Sequence, residues 1–318
     1  MSSDSVSPRP TPTIPAVVRY RPSGCTKERS HISSMDALNP SQIQASLKTR
    51  VFGRKLLTLP RTGSTNDVAR ELAAQGAPEG TVVVADEQVA GRGRLGRRWL
   101  APPGTCLLCS ILFRPDLHPT QAQCLTQLCS LAAADAIHQI ANLHVAIKWP
   151  NDLIVENPRS GVSGFRSQVS GSGSWKWRKL GGILTESGVM GERLEFVVVG
   201  IGVNVNVEPG VLPTLAPDAT SVLAEVGRPV DRVALLVALL SGVERRYGGL
   251  QAGASPHAEW AARLATLGQP VTLTTPDGTL TGVAEAVGED GALLVRAPDG
   301  ALRRFLVGDV TLARPAAE

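Results

Sequence analysis

The stretch TVVVADEQVAGRGRLGRRW, residues 81–99, decides how the rest of this chain is interpreted. Residues 81–85 are an apolar run typical of a strand, and residues 91–99 hold four arginines and three glycines. Glycine lets a backbone fold closely around a ligand, and arginine brings a fixed charge with forked donors that suit carboxylate and phosphate. The stretch predicts a strand followed by an anion-binding loop, although a solvated basic turn or an RNA-binding Gly/Arg segment also fits these residues taken alone.

Composition limits the alternatives. With 318 residues, 43% of them hydrophobic, the chain is long enough for one sizeable core and a smaller domain. The net charge is only +4, and the basic residues are scattered apart from 91–99 and 176–179, which does not indicate a nucleic-acid-binding face. No apolar run approaches the roughly 18 residues of a membrane span.

The cysteines indicate a reducing compartment, which we expect to be the cytoplasm. Their odd number and the chain length argue against a disulfide framework. The spacing C-x-x-C at 106–109 falls in a predicted strand, where residues three apart point to opposite faces and cannot hold one ion. We therefore expect four of the five cysteines, all but Cys25, to be small core residues rather than zinc ligands. The five are Cys25, Cys106, Cys109, Cys124 and Cys129.

The chain divides into three predicted parts. Residues 1–47 are expected to form a poorly ordered tail, because the first 35 or so are rich in Ser, Pro and Thr without periodicity. This tail has no clear signal-peptide core, and its prolines leave no room for a helix-turn-helix domain. Residues 48–267 are predicted to form the main domain, and residues 268–318 a second, smaller one.

Strands and helices alternate in the main domain, which predicts an α/β sheet partly covered by helices. Helices are expected from the N-cap Ser64 to Gly76, over 120–141, from Asp231, and from the N-cap Ser255. Strands are expected at 55–59, 81–85, 105–113, 146–149, 180–187 and 195–203. The Gly- and Ser-rich insertion 156–178 is interpreted as a hairpin whose base continues a strand, with a docking surface for a partner protein as the alternative.

After Gly268 the pattern changes to short alternating strands. Three turn signals, PDG at 276–278, EDG at 289–291 and PDG at 298–300, separate them. About 50 residues with this spacing predict a small five-stranded β-barrel, which by itself indicates no function.

Five motifs follow one another in the main domain: STN at 64–66, GRGRLGRRW at 91–99, KWPND at 148–152, KLGG at 179–182 and GIGVNVN at 200–206. In this order and spacing they resemble the biotin protein ligases, from about residue 48 to the C-terminus. The resemblance implies a central mixed β-sheet with flanking helices, in a catalytic domain like that of class II aminoacyl-tRNA synthetases. It also implies a small C-terminal barrel like a Src-homology-3 domain.

The resemblance further implies a two-step reaction. Biotin and ATP, with Mg²⁺, form biotinyl-5′-AMP and pyrophosphate, and a lysine of a biotin carboxyl carrier protein or domain then takes the biotin. Two anions must meet in the first step, and fixed cations offset their repulsion. Mg²⁺ would neutralise the phosphates further.

By the same resemblance, Lys179, Arg94 and Arg92 would be catalytic. The biotin site would comprise Ser64, Thr65, Asn66, Gln88, Arg92, Gly93, Arg94 and Lys179. The ATP site would comprise Arg97, Trp99, Lys148, Asn151, Asp152, Asn204 and Asn206, with Asp152 also a metal ligand. Structural roles compete with these functions: helix capping at 64–66, core packing for Trp99, an Asx turn at 151–152 and strand-end hydrogen bonds for the last two asparagines.

The sequence departs from the family in three ways. Leu95 lies where many relatives have a further basic residue, the 156–178 insertion is long, and the DNA-binding domain of bifunctional members is absent. We therefore expect no DNA binding, while a homodimer stays open. Two other functions are alternatives. One is a lipoate- or octanoate-protein ligase, whose substrates lack a ureido ring for the polar set at 64–66 and Gln88. The other is a non-catalytic nucleic-acid-binding protein that uses the Gly/Arg loop.

Overall fold

Seven strands form the central sheet of the computed structural model, which describes residues 38–157 and 177–312. The order is β1-β2-β3-β7-β6-β5-β4, in which only β1 and β2 are parallel, so the predicted mixed sheet is confirmed. Every residue of β2 and β3 is buried, as their continuous apolar runs predict. The strands are β1 Leu56–Leu59, β2 Val82–Ala85, β3 Cys106–Phe113, β4 Ala146–Lys148, β5 Asp152–Glu156, β6 Trp177–Met190 and β7 Arg193–Asn204.

Helices cover both faces of this sheet. The long α3 and α6 pack on one face, and α2 packs on the other, where Ala69 and Ala73 contact Val83 and Val198. Asp231 caps α6 as predicted, because its carboxylate accepts from two backbone amides of the first turn. The helices are α1 Pro40–Ser46, α2 Thr65–Ala74, α3 Gln123–Ala141, α4 Leu212–Leu215, α5 Val222–Val226, α6 Arg232–Gln251 and α7 His257–Ala262.

The predicted tail boundary at residue 47 is wrong for residues 38–47. The helix α1 begins after Asn39, whose side chain accepts from Ser41 N at 2.9 Å, and Ile43 is fully buried with Leu38 and Leu47 beside it. Seven residues are too few to show helical periodicity, and packing stabilises such a helix more than propensity does. Residues 1–37 lie outside the described part of the chain.

Two further predictions are corrected near the site and at α7. The strand β5 was not expected; an Asx turn at 151–152 was the structural alternative to a ligand role, and Asp152 in fact begins β5. The helix α7 has Pro256 rather than Ser255 as its N-cap, although the Ser255 hydroxyl accepts from His257 N at 3.2 Å. The predicted hairpin base is confirmed, since Glu156 pairs with Trp177 across β5 and β6; the insertion itself, 158–176, lies outside the described residues.

The C-terminal residues form a five-stranded antiparallel sheet of order β11-β10-β9-β8-β12. It packs on the main core through Trp149, whose indole Nε1 donates to Gly291 O at 2.8 Å. Its own core includes Leu273, Leu293 and Val295. The strands are β8 Pro270–Thr275, β9 Gly278–Val287, β10 Leu293–Arg296, β11 Leu302–Phe305 and β12 Asp309–Leu312.

Three of the four cysteines in the described residues, Cys106, Cys109 and Cys129, are buried core residues as predicted, whereas Cys124 is only partly buried. Cys106 and Cys109 belong to separate apolar clusters on opposite faces of β3, and burial raises the pKa of their thiols to about 11 and about 12. Within residues 38–157 and 177–312, no three His, Cys, Asp or Glu side chains are grouped as a metal site. In the same ranges, every helix is too short or too polar to cross a membrane.

Candidate active site

A cavity of about 650 Å³ opens on the face of the central sheet next to α2. With the exception of Asn206, every residue predicted for the site lines it. These residues are Ser64, Thr65, Asn66, Gln88, Arg92, Gly93, Arg94, Arg97, Trp99, Lys148, Asn151, Asp152, Lys179 and Asn204. Residues up to 140 positions apart in sequence, Ser64 and Asn204, therefore meet at one surface.

Asn206 lies away from the cavity. Its side-chain amide donates to Val230 O at 2.9 Å, and its carbonyl oxygen accepts from Val230 N at the same distance. These bonds hold the segment that leads into α6. Of the two roles considered for Asn206, ATP binding and structural hydrogen bonding, they favour the structural one. Asn204 differs, because it lines the cavity while donating to Thr220 O at 2.9 Å.

Two lysines and one carboxylate form a charged cluster in the cavity wall. Lys179 Nζ lies 2.6 Å from Asp152 Oδ1, and Lys148 Nζ lies 3.1 Å from Asp152 Oδ2. Burial alone would raise the pKa of Asp152, but the two ammonium groups lower it below the usual carboxyl range. The cluster carries one excess positive charge before any anion binds.

Arg94 and Trp99 complete this side of the cavity. Burial lowers the pKa of Arg94, while Asp152 and Asp309 oppose that shift. The indole ring of Trp99 lies 5.9 Å from Lys179 Nζ, within the range of a cation–π contact. A buried anion placed here would meet Lys179, Lys148 and Arg94 together.

A chain of hydrogen bonds forms the opposite side. Gln88 Oε1 accepts from Thr65 N at 2.7 Å and from Thr65 Oγ1 at 3.1 Å. Ser110 Oγ lies 2.8 Å from Thr65 Oγ1 and 2.6 Å from Asn66 Oδ1. Ser64 is the N-cap residue of α2, yet its side chain makes no capping bond. The three side chains at 64–66 therefore do not act as helix caps, and they present polar groups to the cavity.

The loop 91–99 folds as a short hairpin beside the cavity. The backbones of Arg92 and Arg98 pair as an antiparallel β-bridge. Beside it, Gly93 N donates to Arg97 O at 2.7 Å, and Trp99 N donates to Gly91 O at 2.9 Å. The tight turn at the hairpin tip, Arg94–Gly96, has Leu95 at φ 54°. Leucine at a left-handed position is uncommon, and its side chain is exposed at the hairpin tip.

The two glycines of the G-x-G motif in β7, Gly200 and Gly202, leave room for cavity side chains to pack on the sheet. A Cβ on Gly200 would lie 2.2 Å from Asn66 Oδ1, and a Cβ on Gly202 would lie 2.9 Å from the Trp99 ring. Both side chains therefore pack directly on the sheet backbone. The glycines set the depth of the cavity at its polar end and at its aromatic end.

Sequence reasoning missed several acidic and polar residues of the site. Arg92 Nη2 lies 2.6 Å from Asp67 Oδ1 and 2.8 Å from Glu186 Oε2, and Arg97 Nη2 lies 2.5 Å from Asp309 Oδ2 in the C-terminal sheet. Ser110 lies in a strand that was interpreted as pure core. The one available signal was the polar residue within the apolar run CLLCSILF, since a buried hydroxyl requires a partner.

Comparisons with known proteins agree with this geometry. Residues 58–204 match the model of the biotin/lipoate A/B protein ligase family, and residues 266–312 match that of the biotin protein ligase C terminal domain. The chain is 33% identical over 278 residues to the bifunctional ligase/repressor BirA of Bacillus subtilis, covering 86% of this chain and 79% of that protein. It is 34% identical over 253 residues to the biotin--[acetyl-CoA-carboxylase] ligase of Paracoccus denitrificans, covering 76% and 94%.

A solved structure gives the same result. The biotin protein ligase from Aquifex aeolicus in complex with biotin and ATP superimposes with a TM-score of 0.63 at 26% identity, covering 82% of this chain and all of that one.

Proposed function

The chain belongs to the biotin protein ligase family, and we propose how its cavity carries out the family's reaction. It is an ATP-dependent ligase that activates biotin and transfers it to a carrier protein. The observation that carries the assignment of roles is the pairing, in one cavity, of the polar chain around Asn66 with the cationic cluster around Lys179. The first matches a small polar ring, and the second matches two anions that must react.

We assign biotin recognition to Ser64, Thr65, Asn66 and Gln88. The ureido ring offers two donors and a carbonyl acceptor, and a site that leaves such groups unpaired loses affinity. Thr65 and Asn66 are 3% exposed and held by Ser110, so their groups are oriented before biotin arrives. The backbone of Gly93 would close over the ring.

We assign charge stabilisation to Lys179 and Arg94. As biotin's carboxylate approaches the α-phosphorus, negative charge gathers on the phosphate oxygens, and cations fixed in a partly buried site offset it. In this step Lys179 exchanges its contact with Asp152 for contacts with the substrates, and Arg94, whose Nη1 donates to Gly308 O at 3.3 Å, faces them from the loop. A catalytic role for Arg92 stays a prediction; its ion pairs with Asp67 and Glu186 favour a role in holding the loop.

The remaining cavity residues serve ATP. Lys148 and Arg97 would contact phosphates, and Trp99, Asn151 and Asn204 would bind the nucleoside. Asp152 suits Mg²⁺ in its donor chemistry, because Mg²⁺ usually takes one or two carboxylates together with substrate phosphates and water. Bound with ATP, Mg²⁺ would withdraw charge from the phosphates and so reduce the repulsion that the lysines and Arg94 must offset.

The acceptor is proposed to be a lysine of a biotin carboxyl carrier domain. A cytoplasmic location is proposed because the four cysteines in the described residues are free. Absence of DNA binding remains a prediction from the sequence, as does the domain boundary at residue 267, and the sequence leaves a homodimer open.

Pyrophosphate release tests the proposal. The purified chain is mixed with ATP, Mg²⁺ and either biotin or lipoate. Release is expected with biotin and not with lipoate, because lipoate lacks the ureido ring that the Asn66 side recognises. Release with lipoate alone, or with neither acid, would contradict the assignment.

A further inference from the structure

Glu186 is a carboxylate beside the cavity to which the proposed reaction assigns no role. Glu186 lies on β6 in the same alternating row as Gly182 and Leu184, which line the cavity. Its register partner on β7 is Val198, which packs against α2. Glu186 therefore lies behind the biotin side of the cavity and not in the charged cluster.

A single oxygen of Glu186 joins the two parts of the proposed biotin site. Oε2 accepts from Asn66 Nδ2 at 2.8 Å and from Arg92 Nη2 at 2.8 Å. The other oxygen, Oε1, lies 3.6 Å from Arg70 Nη1. The side chain is 22% exposed, so solvent screens these contacts only in part.

The Asn66 amide has its orientation set by its partners. Its Oδ1 accepts from Ser110 at 2.6 Å, and its Nδ2 donates to Leu184 O at 3.2 Å as well as to Glu186. A bond to a charged acceptor is roughly twice as strong as one between neutral groups, so Glu186 contributes most to holding the amide donor.

The same carboxylate fixes the base of the loop. Arg92 forms the bridge with Arg98 that closes the hairpin, and its guanidinium contacts both Asp67 and Glu186. Asp67 contacts the loop but is not bonded to Asn66, whereas Glu186 contacts both. Movement of the loop and rotation of the Asn66 amide are thereby linked through Glu186.

We propose that Glu186 is a positioning residue, which orients Asn66 toward biotin and holds the 91–99 loop in place through Arg92. This inference rests on the proposed function. Glu186 does not touch the reacting atoms, so it acts on biotin binding and leaves the charge stabilisation by Lys179 and Arg94 intact.

The test compares Glu186→Gln with the matched variant Asp67→Asn, in the full chain, by biotin- and ATP-dependent pyrophosphate release. Glu186→Gln should raise the KM for biotin about tenfold, because two charge-assisted hydrogen bonds weaken. The KM for ATP and the kcat should stay within about twofold. Asp67→Asn should raise the biotin KM less, since only the loop contact is lost.

A double-mutant cycle separates positioning from simple stabilisation of the fold. The double variant Glu186→Gln with Arg92→Gln should raise the biotin KM less than the product of the single effects, because the two residues act through one contact. Multiplicative effects, or an unchanged biotin KM in Glu186→Gln, would overturn the proposal.

Should Glu186→Gln fail to fold, Arg92→Gln removes the contact from the loop side, where the side chain is 38% exposed. An unchanged biotin KM in that variant would equally overturn the proposal. Failure of the wild-type chain to release pyrophosphate with biotin would instead contradict the proposed function.

Discussion

Around Asn66 the cavity wall is a chain of hydrogen bonds among uncharged side chains, with Glu186 as one charged acceptor behind it, whereas around Asp152 it is a cluster of charges. In the first region, Gln88 and Ser110 both bond to Thr65. In the second, Lys179 and Lys148 are neutralised by a carboxylate that substrate anions must replace. The difference indicates that recognition is preorganised, while charge stabilisation depends on exchanging partners.

The largest effect is expected from removing the central cation. Lys179→Ala should lower kcat for pyrophosphate release about 10²–10³-fold, the usual loss when one donor aimed at developing charge is removed. Lys55→Ala, at an exposed residue that directly precedes β1, serves as the control. A kcat within a few-fold of wild type would show that the charged region does not stabilise the transition state.

A smaller effect on a different parameter is expected at the polar region. Gly200→Ala places a methyl group 2.2 Å from Asn66 Oδ1, so Asn66 must move away from the sheet. The KM for biotin should rise about tenfold, the loss of roughly one good hydrogen bond, while the KM for ATP is little changed. Gly248→Ala is the matched control, because nothing lies within 4 Å of its added carbon. Equal effects of the two substitutions would rule out this packing role.

The two regions should also differ in what they contribute to the fold. Ser110→Ala removes the hydroxyl that bonds to Thr65 and Asn66 in a fully buried strand. The free energy of unfolding should fall by about 1–3 kcal/mol, because buried polar groups lose their partner. Urea unfolding measures it, with Ser41→Ala, on the exposed side of α1, as the control.

The smallest expected effect concerns how the contribution of Asp152 to the free energy of unfolding changes with pH. The folded pKa of Asp152 lies below its unfolded value, so its contribution to stability is complete above the ordinary carboxyl pKa of about 3.9. That contribution is lost as pH falls through the lower folded pKa. The stability difference between wild type and Asp152→Asn, measured by urea unfolding at several pH values, should therefore shrink in this acid window. A difference that grows on acidification would contradict the direction of the shift.

Features whose sequence signal is local could be predicted, and features that depend on distant partners could not. The strands β2 and β3 and the capped helix α6 follow from apolar runs and from Asp231, because each signal is local. The ligand-side residues were found because their motifs are contiguous in sequence. Glu186, Ser110 and Asp309 were not found, since each acts through a partner more than forty positions away. The helix α1 was missed because only packing on the core stabilises it.

The central claim is that the two regions divide the work, and it is tested most directly by crossing two variants in one experiment. Biotin affinity is measured by calorimetry, and the rate of biotinyl-5′-AMP formation by single turnover at saturating biotin and ATP. Lys179→Ala loses one contact with biotin's carboxylate, so its biotin affinity should fall only a few-fold, whereas adenylate should form about 10²–10³-fold more slowly. Gly200→Ala should bind biotin more weakly and form adenylate at nearly the wild-type rate. Both variants changing the same parameter would contradict the account.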